Sequence, residues 1–254
     1  MKQPKITLVG AGPGDGELIT LKGVRALSQA DVVLYDELVN TDLLAHAPAH
    51  APTMYVGKRA GETSCSQEEI NKLLVHSAQK YGHVIRLKGG DGYVFGRGYE
   101  EYAFARQHSI DCEVIPGISS CIAVPASQGI PVTCRGVSES FWVVTGTTRQ
   151  GELSEDVYLA AQSKATVVVL MGMKKISEIC AMYDWFGRGH LPMAVIQNGT
   201  RADERCVVGQ VRDMPQRVRE EGLGAPGILV IGEVVTLHPA WVSEVTHHLA
   251  MACS

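Results

Sequence analysis

A short apolar strand that runs straight into glycines constrains this chain more than any other feature. Ile6-Thr7-Leu8-Val9 leads into GAGPGDGELITLKG at positions 10–23. The same pattern then repeats. Thr20 is placed to cap a helix over 21–27, and Asp31 to Tyr35 reads as a second, largely apolar strand, with a short third over Thr53 to Val56. Ser66 with Glu69 three residues on forms a capping box, and Ile70, Leu73, Leu74, Val75 and Ala78 follow at helical spacing until Gly82 offers a stop. His83 to Leu87 and Cys112 to Ile115 are further strands. Strand–helix alternation of this kind predicts a mostly parallel sheet with helices on its faces.

The pattern pauses at GIPVTCRGVSES, 129–140, where Gly, Pro, Thr and Ser cluster. A second α/β run follows, with strands over 141–145, 165–170, 193–196, 205–209 and 227–232 and a helix over 176–186. Asn198-Gly199 is a turn signal. The close spacing of the late strands predicts mixed rather than purely parallel pairing. The expected layout is an N-terminal α/β domain over 1–134, a C-terminal α/β domain over 135–245 and a loosely held tail over 246–254. A length of 254 residues, 45% of them hydrophobic, suits either one large domain or two modest ones.

A formal net charge of −4 argues against general affinity for nucleic acid, though not against a local basic cleft. The seven cysteines (65, 112, 121, 134, 180, 206 and 253) are widely spaced with no CxxC, which fits neither a disulfide framework nor a zinc site. They read as reduced thiols of a cytoplasmic protein. His46, His50, His76 and His83 show no metal-like pairing with acids, and nothing near Cys134-Arg135 marks a base. No signal-peptide or membrane-spanning run is expected.

The first glycine loop leaves three readings open. A dinucleotide fingerprint is G-x-G-x-x-G, and Gly10-Ala11-Gly12 fits, with Asp36 at the end of the second strand able to mimic the ribose acid. Asp15 holds the third glycine's place, however, and would set a negative charge where a pyrophosphate sits. The other readings are a tight turn without a ligand, and a ligand that needs close backbone approach but brings no phosphate.

The second loop is RLKGGDGYVFGRGYEE, 86–101, with five glycines in the ten residues from Gly89 to Gly98. That is beyond what packing needs, and it lies at the carboxyl end of a strand, where open α/β sheets bind ligands. Asp91 either serves a ligand or caps its own turn. Arg97 and Glu100, three apart, either serve a site or pair on the surface.

These segments resemble those of the tetrapyrrole methylases that use S-adenosyl-L-methionine. The matching stretches are VGAGPGD (9–15), LYDELV (34–39), VGKRAG (56–61), RLKGGD with VFGRGYEE (through 101), VIPGISS (114–120), VVVLMGM (167–173), NGT (198–200) and ILVIGEVV (228–235), in order along the chain. The resemblance implies the two-domain α/β fold of that family, a homodimer, and the cofactor in the interdomain cleft. It implies cofactor contacts at Pro13, Gly89, Gly90, Asp91, Val94, Ser119, Ser120, Met171, Gly199 and Gly227. It assigns acid–base positions to Asp36 and Lys58 and a charged pair to Arg97 and Glu100. Two positions depart from the family pattern: Gly92 stands where it usually has Pro, and Ser119-Ser120 where it usually has Thr-Ala.

The implied activity is two successive C-methylations of uroporphyrinogen III to precorrin-2, on the branch to siroheme, cobalamin and heme d1, with S-adenosyl-L-homocysteine as by-product. The donor carries a sulfonium and no phosphate, so Asp15 has no pyrophosphate to repel. After methylation the macrocycle is cationic and must lose a proton, for which Asp36 is the expected base. Asp36 or Glu100 would stabilise the cation. A guanidinium holds its proton too tightly to act as base, so Arg97 is expected to clamp substrate carboxylates. Arg59, Arg149 and Arg201 are further candidates for those carboxylates or ordinary surface arginines. Lys58 is a proton donor or another anchor, and Met171 a ligand contact or a core methionine. The rival readings are a methylase of a later precorrin, an NAD(P) oxidoreductase, and a module that only binds the nucleoside. Neither nucleic acid nor membrane is an expected partner.

Overall fold

The computed structural model describes residues 3–57 and 66–241. It divides into two compact units, Met1–Ser120 and Cys121–Ser254.

In the first unit, strands β1 (Lys5–Gly10), β2 (Val32–Tyr35), β3 (Thr53–Tyr55), β4 (His83–Lys88) and β5 (Asp111–Ile115) form a sheet in the order β3-β2-β4-β1-β5. Every pairing is parallel, with Lys5 opposite His83 and Gly10 opposite Lys88. The period-two alternation of side chains divides each strand between two cores. Ile6, Leu8, Val32, Leu34 and Val84 pack on one face with Ile70, Leu74 and Ala78, while Val9, Val33, Ile85 and Leu87 pack on the other with Leu27 and Leu43. Arg86 and Lys88 follow Val84 at intervals of two and are buried.

Helix α1 (Leu21–Leu27) is capped by Thr20, whose hydroxyl accepts from the Gly23 amide at 3.0 Å. Helix α2 (Gln67–Tyr81) opens with the expected capping box: the Ser66 hydroxyl accepts from the Glu69 amide at 3.2 Å and the Glu69 carboxylate from the Ser66 amide at 2.6 Å. Gly82, at φ 108°, ends it. Two more helices follow, α3 (Gly98–Gln107) and α4 (Ser120–Ser127).

The second unit has strands β6 (Phe141–Thr145), β7 (Thr166–Leu170), β8 (Pro192–Gln197), β9 (Arg205–Gln210) and β10 (Gly227–Ile231), ordered β6-β7-β10-β8-β9. Only β6 and β7 run parallel, so the sheet is mixed as expected. Helices α5 (Glu155–Ala160), α6 (Ile176–Trp185) and α7 (Met214–Glu220) accompany it. Val167, Val169, Ile179, Tyr183, Met193, Val195, Leu229 and Ile231 form its core.

The two compact units part after Ser120, and the sequence places the domain junction at 134. Between the two positions lies α4, which carries Pro125 and gives little helical signal. Val124 of α4 packs against Gly199, and Ser127 and Gln128 hydrogen-bond Glu204. Helices α3, α4, α5 and α7 were not among the expected elements. The tail over 246–254 lies outside the described residues. Among the described residues, no helix is long and apolar enough to cross a membrane.

Candidate functional site

Three glycines meet where β1, β4 and β5 end. A Cβ on Gly10 would lie 2.5 Å from the Cα of Gly117 and 2.8 Å from the carbonyl oxygen of Gly90. A side chain there would force the loops apart. Ala11 donates to the Lys88 carbonyl at 2.8 Å, Gly90 donates to Gly12 at 2.7 Å, and Gly12 donates to Gly90 at 3.2 Å. The two glycine loops are thus joined main chain to main chain.

This join removes one of the readings of the first loop, the dinucleotide. The Gly12 amide is committed to Gly90 and cannot face a pyrophosphate. Nor does a helix start at the loop. Asp15 instead accepts from the Glu17 amide at 2.9 Å and opens a 3-10 turn over Gly16–Leu18, so α1 begins only at Leu21. A phosphate cradle needs free amides aimed from a helix N-terminus. A ligand without phosphate fits this arrangement, and a dinucleotide does not.

Gly89 and Gly90 differ in kind. A Cβ on Gly89 would strike the Cβ of Leu38 at 2.6 Å, so packing alone explains it. Gly90 sits at φ 63°, and a Cβ there would meet only the Ser120 amide nitrogen, at 3.8 Å. Its Cα therefore faces open space beside half-buried Pro13 and Asp91. Asp91 is an internal clip: one carboxylate oxygen accepts from the Tyr93 amide at 2.8 Å and the other from Gly117 at 3.0 Å. The Asx-type reading of Asp91 describes the first of these contacts. Val94 is half-buried in the same turn, its amide donating to the Asp91 carbonyl at 3.2 Å.

Asp36 follows β2 and accepts from Arg86 Nη2 at 3.2 Å and from the Gly89 amide at 3.4 Å. Its side chain is 26% exposed, so a carboxylate edge remains open to a substrate. Arg97 and Glu100 pair bidentately, Nε to Oε1 at 2.8 Å and Nη2 to Oε2 at 2.7 Å, each half exposed. The bond to Glu100 raises the Arg97 pKa above its ordinary value, which reinforces the case against Arg97 as base. Arg97 stands at φ 58°, immediately before α3.

Beneath this surface lies a buried charge cluster that the sequence analysis did not single out. Glu101, in the first turn of α3, is fully buried. Its Oε1 accepts from Lys88 Nζ at 2.9 Å, Arg86 Nε at 3.2 Å and Gln67 Nε2 at 3.2 Å. Burial lowers the Lys88 pKa first and the Arg86 charge lowers it further, against the pull of Glu101. Two cations on the core face of a strand were the available signal, read through the period of two.

In the second unit, Met171 follows β7, Gly199 follows β8 and Gly227 opens the antiparallel β10, so all three come to one edge of the sheet. Met171 is 51% exposed at φ 55°, which excludes a core methionine. Its carbonyl accepts from the Thr147 hydroxyl at 2.9 Å. Packing against Val124 and Met173 accounts for Gly199 and Gly227. Arg149 is exposed in the loop after β6, and Arg201 is half-buried between β8 and β9. Lys58 and Arg59 lie outside the described residues.

The chain matches the tetrapyrrole (corrin/porphyrin) methylases over residues 5–215. It belongs to that family. A relative from Methanocaldococcus jannaschii named uroporphyrinogen-III C-methyltransferase is 45% identical over 235 residues, 92% of this chain and 97% of the relative. The crystal structure of a uroporphyrin-III C-methyltransferase from Thermus thermophilus, complexed with S-adenosyl homocysteine, matches at TM-score 0.78 and 38% identity, covering 92% of this chain and 99% of that one. A cobalt precorrin-4 methyltransferase matches at TM-score 0.81 and 26% identity, covering 91% of this chain and 95% of that one.

Within this tetrapyrrole methylase, the departure at Gly92 has a local setting. A Cβ there would stand 3.1 Å from Lys88 Cδ, directly over the buried lysine. The Gly92 carbonyl accepts from the Gly98 amide at 2.9 Å and closes the loop. Ser119 is buried and Ser120 half-buried. Burial pushes the thiols of Cys112, Cys180 and Cys206 up to about 12, so all three are neutral. No group of three or more His, Cys, Asp or Glu suited to a metal occurs among the described residues.

Proposed function

We propose that this chain is an S-adenosyl-L-methionine-dependent C-methyltransferase that methylates uroporphyrinogen III twice to give precorrin-2. The observation that carries the reading is the Gly12–Gly90 join. It removes the amide a phosphate would need and leaves bare, open main chain at Gly90, next to the Gly89 amide that donates to the Asp36 carboxylate. The extended match to a relative bearing that activity in its name supports the same conclusion.

The residues fit the methyl donor. Pro13, Gly89, Gly90, Asp91, Val94, Ser119 and Ser120 are proposed as donor contacts, with Gly89 and Asp91 also holding the loop in shape. Met171, Gly199 and Gly227 are proposed as further donor contacts. When bound, the donor supplies an electrophilic methyl on a cationic sulfur. A pyrrole carbon would take that methyl and the neutral thioether would leave, so the protein's main task is alignment of the two carbons at roughly 3–3.5 Å. Asp36 then accepts the proton that the methylated ring sheds and balances its positive charge beforehand. Arg97 is proposed to clamp an acceptor carboxylate, shared with Glu100, and Arg149 and Arg201 to hold others. Lys58 and Arg59 remain proposals of the same kind. The homodimer and a cytoplasmic location are also proposed.

The test is incubation of purified protein with methyl-labelled donor and uroporphyrinogen III. The expected product carries two added methyl groups. The precorrin-4 methyltransferase resemblance keeps a later precorrin as second reading; label transferred only to such an acceptor would favour it.

A further inference from the structure

We propose that Arg86 is a positioning residue for Asp36, locked in place by the buried Glu101. This rests on the reading of Asp36 as the base. Three faces of the Arg86 guanidinium are committed. Nε donates to Glu101 Oε1 at 3.2 Å, Nη1 to the Leu87 carbonyl at 3.0 Å and Nη2 to Asp36 Oδ2 at 3.2 Å. A planar fork held at two points has no freedom left at the third. The Gly89 amide meets the other Asp36 oxygen, so the carboxylate is oriented from two sides.

The cluster is costly as a purely structural feature. Arg86, Lys88 and Glu101 are each at most 4% exposed by side chain. Glu101 Oε1 takes three donors while Oε2, also buried, has no hydrogen-bond partner among the described residues. Apolar residues of similar volume generally serve stability as well as a buried ion cluster does. Among the described residues, Asp36 is the charged member of the cluster that reaches solvent, its carboxylate half-buried, with the neutral Gln67 half-buried at the other side. Lys88 balances the second charge: with both cations present, Glu101 and Asp36 bring the four groups to zero. Asp36 is thus the exposed end of a rigid chain running back through Arg86 to α3.

A double-mutant cycle separates positioning from stability. Arg86→Met leaves Glu101 paired with Lys88 and frees Asp36. It should lower kcat about 100-fold, the scale of a positioned acid–base group, with affinity for S-adenosyl-L-homocysteine within about threefold and an intact thermal transition. Asp36→Asn should lower kcat at least as far. Arg86→Met/Asp36→Asn should be no slower than Asp36→Asn alone, because Arg86 acts only through that carboxylate. Multiplying losses in the double variant, or wild-type turnover in Arg86→Met, would overturn the inference while leaving Asp36 as base. Wild-type turnover in Asp36→Asn would overturn both. If Arg86→Met does not fold, Arg86→Lys takes its place in the cycle: it keeps a cation for Glu101 but cannot span to Asp36. Failure of both to fold would also count against the inference, since the cluster would then belong to the fold rather than the site.

Discussion

Gly12 and Gly90 hydrogen-bond to each other in both directions, 2.7 Å one way and 3.2 Å the other, across the ends of two neighbouring parallel strands. That reciprocal pair turns two separate loops into one surface. Gly90 keeps its φ of 63° with almost nothing beside it. A β-branched residue there meets a strain of about 1–3 kcal/mol and fills the open side. Gly90→Val is therefore expected to raise the dissociation constant for S-adenosyl-L-homocysteine at least about tenfold, an effect of ~1.4 kcal/mol or more, in a protein that still unfolds cooperatively. Calorimetric titration checks it, and an unchanged constant would place the nucleoside elsewhere.

The buried cluster makes a stability prediction of its own. Removing one partner of a buried pair typically costs about 3–5 kcal/mol, because the other charge is left without compensation. Glu101→Leu strands Lys88 and should lower urea stability by about that much. Adding Lys88→Met removes the stranded cation and should recover most of the loss. Equal destabilisation in single and double variants would show that Glu101 matters by shape rather than charge.

Arg97 and Glu100 are half exposed, so their pair is worth at most about 1 kcal/mol of stability. Arg97→Ala should accordingly melt close to the parent protein and keep its cofactor affinity. Its turnover should fall about 100-fold if Arg97 positions the acceptor. Arg97→Lys should not rescue it, since an ammonium lacks the planar fork. Equal loss of turnover and of cofactor affinity would mean that Arg97 contacts the donor instead.

His83 carries a pH signature. Its ring lies 2.8 Å from the Thr7 hydroxyl and 3.1 Å from the Gln29 carbonyl, and burial lowers its pKa below the ordinary value. The unfolded chain therefore takes up the proton first as pH falls through about 6.5. Below that pH the unfolded state binds more protons and stability drops. Urea midpoints should fall between pH 7.5 and 5.5 in the parent protein and fall less in His83→Asn. The same slope in both would remove His83 as a source.

Much of the first unit was legible because its signals are local. The β1 strand, the Thr20 cap and the Ser66–Glu69 box each rest on a few adjacent residues, and the structure places them within a residue of the expectation. The loop surface was also legible, since glycine density reports backbone approach directly. Helix α4 was not, because Pro125 and a run of small residues hide a helix fixed by packing against Gly199. Glu101 was overlooked in favour of its neighbour Glu100. Only the fold shows that consecutive acids on α3 point oppositely, one into the core and one to solvent. Met171 needed the fold as well, because the chain gives no sign that its backbone turns to φ 55° and exposes the side chain.

The central claim is that a sulfur-bearing nucleoside lies on the joined glycine loops beside Asp36. The most direct measurement is a crystal structure of this protein with S-adenosyl-L-homocysteine bound. The nucleoside is expected within van der Waals contact of the Gly90 main chain, with Asp36 still held by Arg86. A nucleoside bound away from both loops, or loops closed over Gly90 when it is bound, would contradict the account.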